Sequence, residues 1–276
     1  MTSLPAYTED AVLLRIDAVS KSYGEKLVLR DVSATIRDIH RAGEVTGQIV
    51  GFIGPSGIGK STLFRIMAGL EAPSSGRVVL DHEDRGVVAG EVGVVAQDYP
   101  LFAHRTVWGN LMLAARKMPG IVAEARGRVE SYLDDFDLAD CSNHYPAQLS
   151  GGQRQRCAII QQILCSLHYL LLDEPFSGLD PIAKRKTEAL IQKIANLDEL
   201  NTIIIVTHDI AAAVSVADHV WALGRERTAE GKLIPGARIV ETYNLADRGL
   251  AWHAEIRQMP EFAACVQEIE KRFSTL

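Results

Sequence analysis

The chain has 276 residues, enough for one large domain or two closely joined lobes around a sizeable core. Apolar residues make up 47% and charged residues 23%, the usage of an ordinary soluble globular protein. The net charge of −6 argues against nucleic acid as a partner, which calls for a basic surface.

No run of about 18 apolar residues is present to span a bilayer. The opening Met1-Thr2-Ser3-Leu4-Pro5 lacks the charged and apolar regions of a signal peptide. The expectation is a cytoplasmic chain that works at a membrane only by docking on other subunits. None of the cysteines Cys141, Cys157, Cys165 and Cys265 forms a CxxC pair. Buried reduced thiols are expected rather than a zinc or redox site.

In chain order, residues 12–19 and 26–36 read as strands joined by a turn at Ser22-Tyr23-Gly24-Glu25. Ile49-Val50-Gly51-Phe52-Ile53 is a short apolar strand, followed by a glycine-rich loop and a helical pattern over 61–70. Pro73-Ser74-Ser75-Gly76 reads as a turn, with strands at 77–80 and 92–95 beyond it. From about 98 to 165 the pattern is helical, with breaks at Pro119-Gly120 and Pro146, as expected of an inserted helical lobe. The runs 169–172 and 202–206 are continuously apolar, as in strands buried on both faces of a parallel sheet, and a helix over 182–196 separates them. This alternation predicts an α/β fold. Past 235, residues 237–240 read as a strand and 260–273 as a helix, too few for a second domain of ordinary size. The expected division is a main domain over 1–235 and a C-terminal extension over 236–276.

Gly54-Pro55-Ser56-Gly57-Ile58-Gly59-Lys60-Ser61 matches GxxxxGK[ST], between a predicted strand and a predicted helix. Glycines let the backbone curl its N–H groups around phosphates, and the following helix start adds partial positive charge. Lys60 is suited to the β- and γ-phosphates, Ser61 to Mg²⁺, and Thr62 to a further phosphate contact. Asp173 and Glu174 follow the apolar run 169–172. Asp173 suits a Mg²⁺ ligand and Glu174 a general base that polarises an attacking water. Alone, this pair also fits a solvated strand end.

Leu149-Ser150-Gly151-Gly152-Gln153-Arg154-Gln155-Arg156 resembles the signature motif of ATP-binding-cassette (ABC) ATPases. It also reads as an ordinary helix start capped by Ser150. The resemblance covers about residues 12–225. It implies a RecA-like phosphate-loop core with an N-terminal antiparallel β portion and an inserted helical subdomain. It further implies a head-to-tail dimer of cassettes sandwiching Mg-ATP, in which Ser150, Gly151, Gly152 and Gln153 close over the partner's nucleotide. Tyr23 resembles the aromatic that stacks on adenine, and Gln97 the glutamine that contacts Mg²⁺ and senses the γ-phosphate. Asp180, in Ser177-Gly178-Leu179-Asp180, resembles the loop that signals across the dimer. His208 resembles the switch histidine that contacts the γ-phosphate and orients Glu174.

Three departures from the family pattern stand out. Ala96 occupies a position often aromatic, residues 38–48 are longer and more polar than usual and suggest an extended hairpin, and the tail past 235 resembles no known regulatory domain. The importer form is suggested by Tyr145-Pro146-Ala147-Gln148 before the signature and by residues 100–107, which resemble the surface that receives a permease helix. The expected role is the ATPase of an importer at the cytoplasmic face of the membrane. Its partners would be a separate permease and a solute-binding protein. The nearest resemblance is to the nitrate, sulfonate and taurine group, with polar amino acids an alternative cargo. A cassette that regulates a non-transporting membrane partner, or moves lipids or lipoproteins, stays open as a second reading.

Overall fold

The computed structural model describes residues 7–41, 44, 47–81, 85–117, 124–166, 168–253 and 255–273. The three continuous apolar runs become the middle of a six-stranded sheet. Its strands are β3 (Gln48–Ile53), β5 (Gly93–Val95), β6 (Tyr169–Asp173), β7 (Thr202–Thr207), β8 (His219–Gly224) and β9 (Arg238–Asn244), in the order β5-β6-β7-β3-β8-β9. The first five are parallel, and β9 closes the edge antiparallel to β8. Alternation explains why these runs show no polar period. Ile49, Ile53, Leu170, Leu172, Ile203 and Ile205 enter one apolar cluster, while Val50, Phe52, Leu171, Ile204 and Val206 enter the other.

The second cluster is roofed by helix α1 (Lys60–Met67) and by an antiparallel sheet of β1 (Tyr7–Tyr23), β2 (Lys26–Arg41) and β4 (Ser75–Leu80), in the order β2-β1-β4. β1 and β2 run beyond the expected 12–19 and 26–36. Their outer arms pair with each other from Tyr7 opposite Arg41, and in the β2 arm the adjacent Asp38 and Ile39 are both buried, so the sequence shows no apolar alternation there. Of segment 38–48, residues 38–41 continue β2 and so lengthen the β1–β2 hairpin, while Gln48 already opens β3. The turn expected at 73–76 is shorter than its Pro-Ser-Ser-Gly composition suggests, because β4 already begins at Ser75. Gly76 takes φ +78 where a Cβ would lie 2.4 Å from the carbonyl oxygens of Asp17 and Ala18, so only glycine lets the strand start this close to β1.

The first cluster takes in the inserted lobe of α2 (Val107–Ala115), α3 (Ala125–Asp135) and α4 (Gly151–Ile163), together with α5 (Pro181–Ala195), α6 (Ile210–Val216) and α7 (Pro260–Phe273). Pro146 opens a short 3₁₀ turn before α4, while the break expected at Pro119-Gly120 lies outside the described residues. Sequence pattern does not mark α6 or β8. Ile210–Val216 is apolar but for Ser215 and only seven residues long, so it carries no helical period. Among the described residues no helix is long and apolar enough to cross a membrane. All four cysteines are free, and burial pushes the Cys157 thiol up to about 12.

The segment after 235 is built into this body. Phe262, Cys265 and Ile269 of α7 join the first cluster. Tyr7 donates to Asp247 at 2.6 Å, and Ala237 bridges to Leu29. Asp218 joins the pieces, accepting from the Ile49 amide at 2.6 Å through its side chain and from the Leu245 amide at 2.8 Å through its carbonyl. Burial pushes its carboxyl up from the ordinary 3.8 to about 7. Between those values the folded chain keeps a proton that the unfolded chain has released, so stability should fall as pH rises through this window. Asp218→Asn, which keeps an acceptor for Ile49, should flatten that slope in denaturant titrations at pH 5 and pH 8. An unchanged slope would remove Asp218 as its source.

Candidate nucleotide site

The glycine-rich loop leaves β3, a strand buried at every position, and turns into α1. Two glycines are required by their surroundings. A Cβ at Gly54 would lie 3.0 Å from both Ile58 Cγ2 and the Leu223 carbonyl oxygen. Gly59 sits at φ +119, with Leu29 Cδ2 3.0 Å and Val28 Cγ1 3.1 Å from where its Cβ would be. The antiparallel sheet therefore braces the loop from outside. No side chain caps the start of α1, which leaves its first-turn amides pointing into the loop as an anion site. Ser61 is exposed, while Thr62 is buried. Lys60 is 9% exposed, and its Nζ donates to the carbonyl oxygens of Gly54 at 2.7 Å and Pro55 at 3.3 Å. Burial lowers its pKa, opposed by the charges of Glu174 and Asp173.

Glu174 directly follows β6 at φ +49, a strained conformation for a side chain of this size. The strain is held by bonds to the neighbouring strand β7. The Glu174 amide donates to the Val206 carbonyl at 2.8 Å. Its Oε2 receives Thr207 Oγ1 at 3.0 Å and the His208 amide at 3.3 Å, and lies 2.8 Å from His208 Nδ1. Its Oε1 lies 3.9 Å from Lys60 Nζ. Burial and the adjacent Glu174 raise the Asp173 carboxyl pKa, against the pull of Lys60 and Arg65. The donor set of Ser61 hydroxyl, Asp173 carboxylate and Gln97 amide oxygen is all oxygen and suits Mg²⁺. Among the described residues no group of three or more His, Cys, Asp or Glu side chains forms a cage of its own. A nucleotide-bound Mg²⁺ needs only one or two protein oxygens beside the phosphates, so the residues fit the ion.

Lys60, Asp173, Glu174 and His208 thus meet at the strand tips. Gln97, exposed after β5, donates to Ser177 Oγ at 3.4 Å, in the loop that follows Glu174. Three supporting residues were not singled out by sequence pattern. Thr207 holds the Glu174 carboxylate, while Gln155 Nε2, at 3.2 Å, and the Tyr99 hydroxyl, at 3.4 Å, both donate to the Pro175 carbonyl. The only signal for Thr207 is its place beside His208, Gln155 lies in the signature-like run 149–156 without a role of its own read from it, and Tyr99 carries none.

The other expected residues bond elsewhere. Tyr23 is 45% exposed, and its hydroxyl donates to Glu71 Oε1 at 2.5 Å, within a cluster completed by Lys21 and Arg65. Ser150 caps α4, accepting from the Gln153 amide at 3.3 Å, and the Gln153 side chain returns an acceptor to Ser150 N at 2.9 Å and reaches Cys141 Sγ at 3.1 Å. Gly151 and Gly152 are exposed. A Cβ would meet nothing within 4 Å at Gly151 and only Arg156 at 3.8 Å at Gly152, so no contact within the chain calls for glycine there. Asp180 caps α5, and bonds from the Ala183 and Ile182 amides hold its carboxyl below the usual range.

Residues 44–177 match the sequence profile described as ABC transporter. The sulfate/thiosulfate import ATP-binding protein CysA of Synechococcus elongatus is 38% identical over 226 residues, covering 80% of this chain and 63% of that protein. The chain belongs to the ABC transporter family. The aliphatic sulfonates import ATP-binding protein SsuB 1 of Burkholderia cenocepacia is another relative of this ABC chain. It is 37% identical over 227 residues, 82% of this chain and 65% of that one. The chain spans less than two thirds of the length of these curated relatives. Its fold is shared with cbiO1 of Clostridium perfringens, part of the ABC transporter complex cbiONQ. That structure gives a TM-score of 0.70 at 24% identity and covers 95% of this chain and 100% of the other.

If Lys60 supplies cationic contact to nucleotide phosphates, Lys60→Ala should weaken ATP binding at least about tenfold, equivalent to about 1.4 kcal/mol. Equilibrium titration with a fluorescent ATP analogue measures this, and unchanged affinity would refute the role.

Proposed function

We propose that this chain is the ATP-hydrolysing subunit of an importer. It would bind Mg-ATP between two cassettes at the cytoplasmic face of a membrane and drive a separate permease. The observation that carries the reading is the convergence of Lys60, Glu174 and His208 at one end of the parallel sheet, beside the open start of α1. In this reading the loop amides and Lys60 bind the phosphates, and Tyr23 offers its exposed ring to the adenine. Glu174, aligned by Thr207 and His208, takes a proton from the water that attacks the γ-phosphate. Ser61, Asp173 and Gln97 would hold Mg²⁺, which neutralises charge on the phosphate oxygens when bound.

The exposed Ser150-Gly151-Gly152 helix start supports a partner's nucleotide as its ligand. Glycine in a helix costs about 1 kcal/mol relative to alanine, and nothing within the chain calls for it at these positions. Each cassette would then complete the other's site in a head-to-tail pair, with Asp180 at the shared boundary. A groove of about 600 Å³ beside the inserted lobe, lined by Pro100, Leu101, Phe102 and Leu113, supports docking of an apolar permease segment. The named relatives serve sulfate, thiosulfate and aliphatic sulfonates. Their likeness supports a sulfur oxyanion as cargo, delivered to the permease by a solute-binding protein.

Glu174→Gln should keep ATP affinity, form an ATP-dependent dimer and lose at least about a hundredfold in turnover, the contribution typical of a positioned base. Wild-type turnover would exclude Glu174 as the base. Ser150→Arg should leave binding to a single chain intact and abolish the ATP-dependent dimer seen by light scattering. A surviving dimer would count against the shared site.

A further inference from the structure

We propose that Arg257, in the segment after the family-matched region, is a positioning residue for the loop that carries His208. Helices α5 and α6 begin at the site. Asp180 caps the first, and His208-Asp209 leads into the second. α6 has seven residues, fewer than a helix needs to hold itself together, so its place depends on what grips it. At the site end, Asp209 accepts from the Ala212 amide at 2.9 Å and pairs with Lys184 of α5. The Asp209 amide also donates to Thr207 Oγ1 at 3.1 Å, the hydroxyl that holds Glu174.

Midway along α5 and near the far end of α6, Arg257 grips both helices with one guanidinium. Its Nε donates to Glu188 Oε2 of α5 at 3.3 Å, and its Nη2 donates to Glu188 Oε1 and, at 3.3 Å, to Ser215 Oγ of α6. Glu188 is 7% exposed, so without Arg257 its carboxylate is left buried and unpaired and must move. A second tie, from Gln192 Nε2 to the Ser215 carbonyl at 3.3 Å, cannot neutralise that charge. The planar fork of arginine matches two carboxylate oxygens and a hydroxyl together, which a lysine does only in part. The C-terminal segment therefore sets the spacing of α5 and α6, and through α6 the approach of His208 to Glu174.

The inference uses the hydrolysis reading only for its kinetic arm. In the full chain, Arg257→Met and Arg257→Lys are compared with wild type by ATP turnover and by backbone amide exchange. Arg257→Met should lose about tenfold in kcat with KM for ATP within about twofold. Exchange should speed up in 210–216 but not in α1, and Arg257→Lys should recover part of both. Unchanged exchange in 210–216 would overturn the proposal. So would loosened exchange with unchanged kcat, or uniform loosening that Arg257→Lys does not relieve. Should the wild-type chain fail to hydrolyse ATP, the proposed function falls, while the exchange pattern still decides whether Arg257 fixes α6.

Discussion

The carboxylate of Glu174 is tied to the neighbouring strand rather than to its own, and the rest of the site is organised around that tie. Its amide and Oε2 together take bonds from or to Val206, Thr207 and His208. A left-handed glutamate survives there because two parallel strand ends fix it from the side. That arrangement requires β6 and β7 in strict register, with Leu172 opposite Ile205 and Asp173 opposite Val206. Register in turn is enforced by burial of both faces of the sheet, since a one-residue slip would exchange every side chain between the two apolar clusters.

The two halves of the molecule serve this point differently. The antiparallel sheet braces the phosphate loop from outside, through Val28 and Leu29 against Gly59. The inserted lobe reaches the acidic loop from the other side, through Gln155 and Tyr99 on the Pro175 carbonyl. A displacement of the lobe is thereby coupled to the residues directly after Glu174, a link of the kind that motion transfer between subunits needs.

Local chemistry made much of the candidate site legible in the sequence. The phosphate loop and Asp173 with Glu174 are contiguous motifs, His208 entered only through the family resemblance, and the structure brings these residues together. The long-range partners were not legible. Gln155 meets Pro175 because α4 crosses the lobe, and Arg257 meets Glu188 across 69 positions. Such pairs leave no period or spacing in a single sequence. α6 and β8 escaped for a related reason, since elements buried on all sides show no amphipathic period. The long outer arms of β1 and β2 escaped because their buried positions, Asp38 and Ile39, are adjacent rather than alternating, and Tyr7 is covered by residues far along the chain.

Those arms have a consequence for the life of the chain before it is folded. Tyr7, at the start of β1, finds Asp247 across 240 positions, and its ring packs edge-on against Trp252 at 5.8 Å. A ribosome adding about 5–20 residues per second needs on the order of ten seconds or more to supply those partners. During synthesis the outer end of the hairpin thus emerges long before the surface that covers it. It is there, rather than in the phosphate loop, that a nascent chain would offer an unpaired strand edge to a chaperone or to a neighbouring copy.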